Sequence, residues 1–234
     1  MVIKKTKLSI IMPVYNEKDT LLKILKKVEL VDIGDIEKEI IIIDDYSNDG
    51  TTQLLKTIKK HKVYFHSENK GKGAAIKLGL KKATGDLVII QDADLEYDPN
   101  DYKKLIQPII QKKFKVVYGS RFLKNSKNSS KGNIKYYFGN KMLSFFTSIL
   151  YFNKITDMET CYKVFDAKLV KSIKLNANKF DFEPEITSKI LKRRIKILEI
   201  PISYNPRKVD EGKKIKIKDG FAALFTLIKY RFMD

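Results

Sequence analysis

The chain has 234 residues, 43% of them hydrophobic and 32% charged, a balance that suits a single globular domain and excludes a disordered chain. Its one cysteine, Cys161, excludes a disulfide framework and a cysteine-rich metal site, and fits a reducing compartment. Lys and Arg number 47 against 28 Asp and Glu, a net charge of +19; this points to an anionic partner (nucleic acid, membrane surface or phosphorylated substrate) without choosing among them, and a lysine- and isoleucine-rich composition bias accounts for it equally well.

Residues 8–14 (LSIIMPV) are a short apolar, β-branched run through Pro13, the pattern of a buried strand. Asn16 offers a helix N-cap ahead of 20–30, where Leu21, Leu22, Leu25 and Val28 make a helical stripe. Residues 39–43 (EIIII) read as a second buried strand, followed at once by a polar turn over 44–50. A helix is predicted over 51–60, with Leu54, Leu55 and Ile58 inward, then a third strand over 62–66. A glycine-started helix over 70–83 stops at Gly85, and a fourth strand over 87–91 ends in Asp92-Ala93-Asp94. Beyond it, 115–120 reads as a strand leading to Arg121, 124–135 as a mobile polar loop, and 136–152 as an aromatic amphipathic segment. A helix over 183–193, a strand over 195–200, a flexible charged loop over 208–218 and a last helix over 219–232 complete the chain. No repeat or domain boundary shows, so 1–234 is expected to fold as one α/β domain.

Strands apolar throughout, alternating with helices, imply a mostly parallel sheet covered on both faces. Right-handed crossovers then put the loops that follow the strands on one edge, where open α/β sheets bind ligands. Three acidic clusters fall there: Tyr15-Asn16-Glu17, residues 44–49, and residues 92–96. Carboxylates gathered on one edge repel unless a cation or cationic ligand compensates them.

Asp92 and Asp94, one residue apart at a strand end, can both reach one hard divalent cation, Mg²⁺ or Mn²⁺, and Glu96 offers a third oxygen. An isolated D-x-D is commonly a solvent-exposed turn; the apolar strand before it and the two companion loops argue otherwise. Asp49-Gly50-Thr51 reads as a turn and cap. One of Asp44 and Asp45 is expected to point into the cleft and accept from a nucleobase or ribose. Lys72 and Gly73, in Lys70-Gly71-Lys72-Gly73-Ala74-Ala75, match neither a Walker nor a dinucleotide loop. The backbone there either approaches an anion at a helix start or simply packs closely.

These residues carry a resemblance. PVYNE (13–17), DDYSNDGT (44–51), NKGKGAA (69–75), ATGD (83–86), QDADLE (91–96) and GSR (119–121) together resemble glycosyltransferase family 2, whose fold is the Rossmann-like GT-A sheet. DMETCYKVF (157–165), EIPISYNPR (199–207) and EGKKI (211–215) are similar to its polyprenyl-phosphate sugar synthases, the dolichyl-phosphate mannose and glucose group. The resemblance implies a nucleotide-sugar half over 8–121 and an acceptor half over 122–234. It implies that Pro13, Tyr15, Glu17 and Asp45 hold the nucleotide. Asp92, Ala93 and Asp94 would hold the diphosphate and Asp92, Asp94 and Glu96 the metal; Glu96 stands where the mannose enzymes usually have Gln. Arg121 and Arg207 would position the acceptor phosphate. The family usually offers one more arginine between Arg121 and Gly139, where this chain has only lysines, which bind phosphate without a planar fork.

The implied reaction is inverting transfer of a hexose from a GDP-mannose- or UDP-glucose-type donor to a dolichyl or undecaprenyl phosphate. A bound Mg²⁺ or Mn²⁺ would neutralise the leaving diphosphate. A phosphate nucleophile is ionised at neutral pH and needs orientation, whereas a saccharide hydroxyl needs a general base, for which Asp157 is the candidate. Transfer to such a hydroxyl is the alternative within enzymes. A basic nucleic-acid-binding module leaves the acidic edge unexplained, so no nucleic-acid partner is expected, and His61 and His66 are too isolated for a metal site.

No run approaches the ~18–20 apolar residues of a spanning helix, and no secretory leader opens the chain. Residues 136–152, aromatic and flanked by lysines, read either as a helix lying in a bilayer interface or as a core helix. With no spanning helix before Asp234, the expectation is peripheral binding to the cytoplasmic face of a membrane, directly or through an anchoring partner protein.

Overall fold

The computed structural model describes residues 5–128, 134–207 and 217–233. The first half alternates as its pattern predicts: β1 (Lys7–Val14), α1 (Leu21–Leu30), β2 (Glu37–Asp44), α2 (Thr51–Thr57), β3 (Lys62–Phe65), α3 (Lys72–Lys82) and β4 (Leu87–Ile90). A 3₁₀ turn (Pro99–Asp101) then leads into α4 (Tyr102–Ile110), followed by β5 (Val116–Ser120), β6 (Lys127–Asn128) and α5 (Ile134–Tyr151). The chain closes with β7 (Lys163–Asp166), α6 (Ala167–Lys171), α7 (Phe182–Lys192), β8 (Ile197–Pro201), β9 (Ser203–Tyr204) and α8 (Ile217–Phe232).

Seven strands form one sheet in the order β3-β2-β1-β4-β7-β5-β8. β1 pairs in parallel with β2 (Ile11 opposite Ile41) and with β4 (Ile11 opposite Ile90). Among the described residues of this sheet β7 alone is reversed, antiparallel to both β4 and β5, while β5 and β8 are parallel. The sheet is thus the mostly parallel α/β architecture expected. Leu8, Ile10, Ile11, Met12, Ile41, Ile42 and Ile43 are completely buried, as strands covered on both faces must be. Helix α3 lies so close to the sheet that a Cβ on Gly79 would come within 2.4 Å of Ile11 Cγ2.

The topology decides what meets where. The carboxyl ends of β1, β2, β4, β5 and β8 share one edge, and reversal of β7 brings the loop before it, residues 157–162, to that same edge.

Several local readings need correction. Asn16 is not a helix cap: its φ is 50°, α1 starts at Leu21, and Thr20 holds the N-cap position without a side-chain cap. Helix α2 is shorter than the pattern implied, ending at Thr57. The helix α4, with Pro108 inside it, and the reversed β7 and short α6 carried no clear pattern. Residues 129–133 and 208–216 of the two expected loops lie outside the described residues, and 127–128 form the short strand β6, paired with β9.

The segment 136–152 lies, but for its last residue, in α5, which is buried on one face and exposed on the other. Leu143, Ser144, Thr147 and Tyr151 are buried, and Leu143 and Tyr151 join Ala223 and Leu227 of α8 in a second small core. Phe138, Met142, Phe145, Ile149 and Phe152 are exposed on the opposite side.

Candidate active site

The first two loops of the edge are stitched together. Asn16 N–H donates to Ser47 Oγ (2.9 Å), Asn48 N–H to Asn16 Oδ1 (2.9 Å), and Glu17 N–H to Thr51 Oγ1 (3.0 Å). Pro13 is buried in β1, and Tyr15 is half-buried at its end. Asp44 shapes its own loop, accepting from the Ser47 hydroxyl (2.6 Å) and the Thr52 hydroxyl (2.5 Å). Asp45 reaches across to the next connection, accepting from Lys70 N–H (2.9 Å) and Gly71 N–H (2.7 Å), with His66 Nδ1 at 2.7 Å. Asp45 therefore straps the strand end to the start of α3; His66 is its partner, while His61 pairs with Glu29 (2.6 Å).

The start of α3 packs closely against the protein and does not form an open anion cradle. Gly71 has φ 94°, and a Cβ there would lie 2.4 Å from Asn178 O; one on Gly73 would lie 2.7 Å from Ala177 O. Only glycine allows this approach. Gly71 N–H serves Asp45, and Ala74 N–H donates to Asn178 O (3.0 Å). The reach of Lys72 into the site is through its side chain, 2.9 Å from Asp92 Oδ1 and 3.0 Å from Glu183 Oε1.

Asp92, Ala93, Asp94 and Glu96 leave β4 on a loop fixed by Gln91. The buried Gln91 donates to Asp92 O (2.9 Å) and accepts from the Tyr102 and Tyr162 hydroxyls (2.6 and 2.8 Å). Asp92 is half-buried, Ala93 and Asp94 are buried, and Asp94 Oδ1 accepts from Glu96 N–H (3.0 Å). Arg207, far along the chain, closes the group. Its Nη2 lies 2.9 Å from Asp94 Oδ2, its Nη1 3.1 Å from Glu17 Oε1, and its backbone N–H donates to Glu96 Oε1 (2.7 Å). Tyr204 donates to Glu96 Oε2 (3.1 Å) and lays its ring under the Arg121 guanidinium at 5.1 Å.

Electrostatics expose the imbalance. Burial tends to raise Asp92, but Lys72 outweighs it and holds the carboxyl below its ordinary value. Burial and the charges of Asp92 and Glu96 push Asp94 up to about 8 against the pull of Arg207. The edge thus holds more carboxylate than its protein cations neutralise. An all-oxygen donor set of this kind fits a hard divalent cation. Among the described residues no three acidic, His or Cys side chains are set so that they could hold one metal ion as they stand; Lys72 pairs with Asp92 and Glu183, and Arg207 with Asp94 and Glu17.

Arg121 and Asp157 meet as a closed pair. Arg121 N–H and Nε–H both donate to Asp157 Oδ2 (2.8 Å each), and Nη2 donates to Oδ1 (2.7 Å). Both oxygens of the candidate base are thus engaged by one arginine. Cys161 is a buried core residue whose N–H donates to Tyr97 Oη (3.1 Å).

The residue pattern gave no sign of a second acidic pair. Glu159 Oε1, Thr160 Oγ1 and Glu183 Oε2 are buried without a hydrogen-bond partner. Burial and the neighbouring Glu183 charge push Glu159 up to about 8. Lys72 connects Glu183 to Asp92, so this unfilled hydrogen-bonding capacity borders the D-x-D edge.

Sheet order and the reversed strand are those of a GT-A fold. The fold matches glucosyl-3-phosphoglycerate synthase from Mycobacterium tuberculosis, solved with Mn²⁺, uridine diphosphate and glucosyl-3-phosphoglycerate, at a TM-score of 0.75 over 98% of this chain and 81% of that one. At 15% identity that likeness concerns the fold alone. The profile of glycosyl transferase family 2 matches residues 9–174, and the chain belongs to that family. It is 30% identical to the UDP-N-acetylglucosamine–dolichyl-phosphate N-acetylglucosaminyltransferase of Methanococcus voltae, over 94% of each chain. It is 29% identical to a dolichol-phosphate mannosyltransferase of Pyrococcus furiosus, over 97% of this chain and 64% of that one. A dolichyl-phosphate β-glucosyltransferase of Trichomonas vaginalis is 30% identical, over 94% of this chain and 72% of the relative.

Proposed function

We propose that this enzyme transfers a hexose, or an N-acetylhexosamine, from a nucleoside diphosphate sugar to a polyprenyl phosphate at a membrane surface, with inversion at the anomeric carbon. The observation that carries the reading is the junction of Asp92, Asp94 and Glu96 with Lys72 and Arg207 at the carboxyl edge of the sheet. The acceptor class comes from the three relatives named above.

A divalent cation held by Asp92, Asp94 and Glu96 would supply charge neutralisation for the departing diphosphate. Everything else falls to the chain's own groups. The stitched loops of Tyr15–Glu17 and Asp44–Asp49 form the wall for the nucleotide, braced by Asp45. The free oxygens of Glu159 and Glu183 accept from hydroxyls of the transferred sugar beside Lys72. The acceptor phosphate is already an anion and needs aligning cations, Arg207 foremost, for in-line attack. The engagement of Asp157 by Arg121 favours this acceptor over a saccharide hydroxyl, which would need that carboxylate to take a proton.

The exposed aromatic side chains of α5, with Phe221, Phe225 and Phe232 of α8, give the lipid-facing surface. The docking proposed is peripheral, on the cytoplasmic face; no helix among the described residues is long and apolar enough to cross a membrane. The test is a donor screen with purified protein: UDP-GlcNAc, UDP-glucose and GDP-mannose against a short polyprenyl phosphate, with Mg²⁺ or Mn²⁺ and with EDTA. Expected is a metal-dependent glycosyl phosphoryl polyprenol from one donor. Transfer only to free saccharides would overturn the acceptor.

A further inference from the structure

Arg207 lies among the carboxylates named as candidate metal ligands. Its guanidinium spans three carboxylates from two separate loops: Glu17 at 3.1 and 3.2 Å, Asp94 at 2.9 Å, and Glu96 at 3.8 Å from Nε. The fit is incomplete, because Nε is buried without a hydrogen-bond partner. One positive charge faces three acidic groups, and Asp94 Oδ2, the oxygen it grips, is one that a divalent cation would need. A divalent ion bound to the same carboxylate would stand close to the guanidinium, and the two positive charges would repel, so each occupant disfavours the other. Lys72 serves the other half of the edge, its ammonium shared between Asp92 and Glu183.

We infer that Arg207 is an exchangeable occupant of the acidic edge. It holds Glu17, Asp94 and Glu96 together while no divalent cation is bound, and it is expelled from Asp94 when one loads. The two states compete for the same carboxylate, so each weakens the other by the same factor. On the proposed reaction, expulsion frees the guanidinium for the acceptor phosphate only after the donor side is charged; that last step rests on the functional reading, and the exchange does not.

The test therefore needs neither donor nor acceptor. The chain has five arginines (Arg121, Arg193, Arg194, Arg207 and Arg231), so an arginine-specific protease reports on Arg207 with the others as internal references. While its side chain is held by carboxylates it cannot enter a protease pocket. Millimolar Mn²⁺ is expected to speed cleavage after Arg207 about fivefold or more relative to Arg193 and Arg194, and Mg²⁺ to do the same at higher concentration. In Asp94→Asn the cut is expected to be fast from the start and indifferent to Mn²⁺.

Mn²⁺ binding, followed by its paramagnetic resonance signal, gives the reciprocal reading. Arg207→Gln is expected to tighten Mn²⁺ about tenfold, whereas Lys104→Gln, which removes one charge where Lys104 pairs with Asp101, is expected to change it less than about twofold. Equal tightening in both variants would mean a bulk charge effect and overturn the exchange. So would Mn²⁺ binding to the native chain with no change in the Arg207 cut, or no Mn²⁺ binding to either the native chain or Arg207→Gln. Absence of sugar transfer beside a positive exchange would sink only the functional reading.

Discussion

Arg121 carries its charge into a place that is 8% exposed, and Asp157, with no exposure at all, makes that tolerable. Burial works against the guanidinium, but the facing carboxylate more than offsets it and raises Arg121 well above its ordinary value. Asp157 is held in turn from behind, since its N–H and that of Thr156 donate to Glu199 (2.9 and 2.8 Å). The geometry makes Asp157 a counter-ion first. Asp157→Asn keeps the shape and strands a buried cation, so it is expected to cost about 3 kcal/mol or more of folding stability, read by urea unfolding. Stability held within ~1 kcal/mol alongside a collapse of kcat would reverse that assignment and make the carboxylate a chemical group.

At the scale of elements, Glu39 shows how the opposite edge of the sheet is closed. On β2, it accepts from Ser9 of β1 (2.5 Å), Lys62 of β3 (2.5 Å), and the N–H and hydroxyl of Thr84 in the turn from α3 to β4 (2.9 and 2.8 Å). Burial would raise its pKa; hydrogen bonds from Lys62, Ser9 and Thr84 win and hold it down to about 2. Because the folded value lies below the ordinary 4.5, the stabilisation is present above about pH 4.5 and drains away as pH falls toward 2. Glu39→Gln is expected to cost about 2 kcal/mol at pH 7 and roughly a quarter of that near pH 2.5, measured by denaturant midpoints at both pH values. A difference that grows on acidification would contradict it. The same scale explains what could be read in advance. β1, β2 and β4 announced themselves because strands buried on both faces are apolar throughout, and Asp92 and Asp94 stood out at the end of one. β7 did not, because KVFD is short and charged at both ends, and its burial comes from β4 and β5 on either side. Pro108 concealed α4, and Asn16, an N-cap residue type, instead took a left-handed backbone. The D-x-D edge was therefore legible, while its union with Arg207 and Glu183 was not: those contacts join distant segments and depend on strand order.

Over the whole molecule, net charge and apolar exposure point the same way. The chain carries +19, and the neighbouring helices α5 and α8, sharing the core of Leu143, Tyr151, Ala223 and Leu227, turn aromatic side chains outward. Phe145 is 61% exposed and Phe225 68%; two such rings on adjoining helices, with Lys141 and Lys229 on the same helices, suit an interface between anionic headgroups and acyl chains. Burying one phenyl ring contributes about 1.5–3 kcal/mol, whereas the lysines contribute through a field that salt screens. The two parts separate experimentally. The native chain is expected to sediment with vesicles containing phosphatidylglycerol, less so as salt rises from about 0.05 to about 0.5 M and the screening length falls from about 14 to about 4 Å. Phe145→Ser with Phe225→Ser is expected to lower vesicle affinity at least about tenfold at every salt concentration. Folding should change little, because both rings already face solvent. Unaltered binding by that double variant would leave charge alone as the attachment and remove the aromatic face from it.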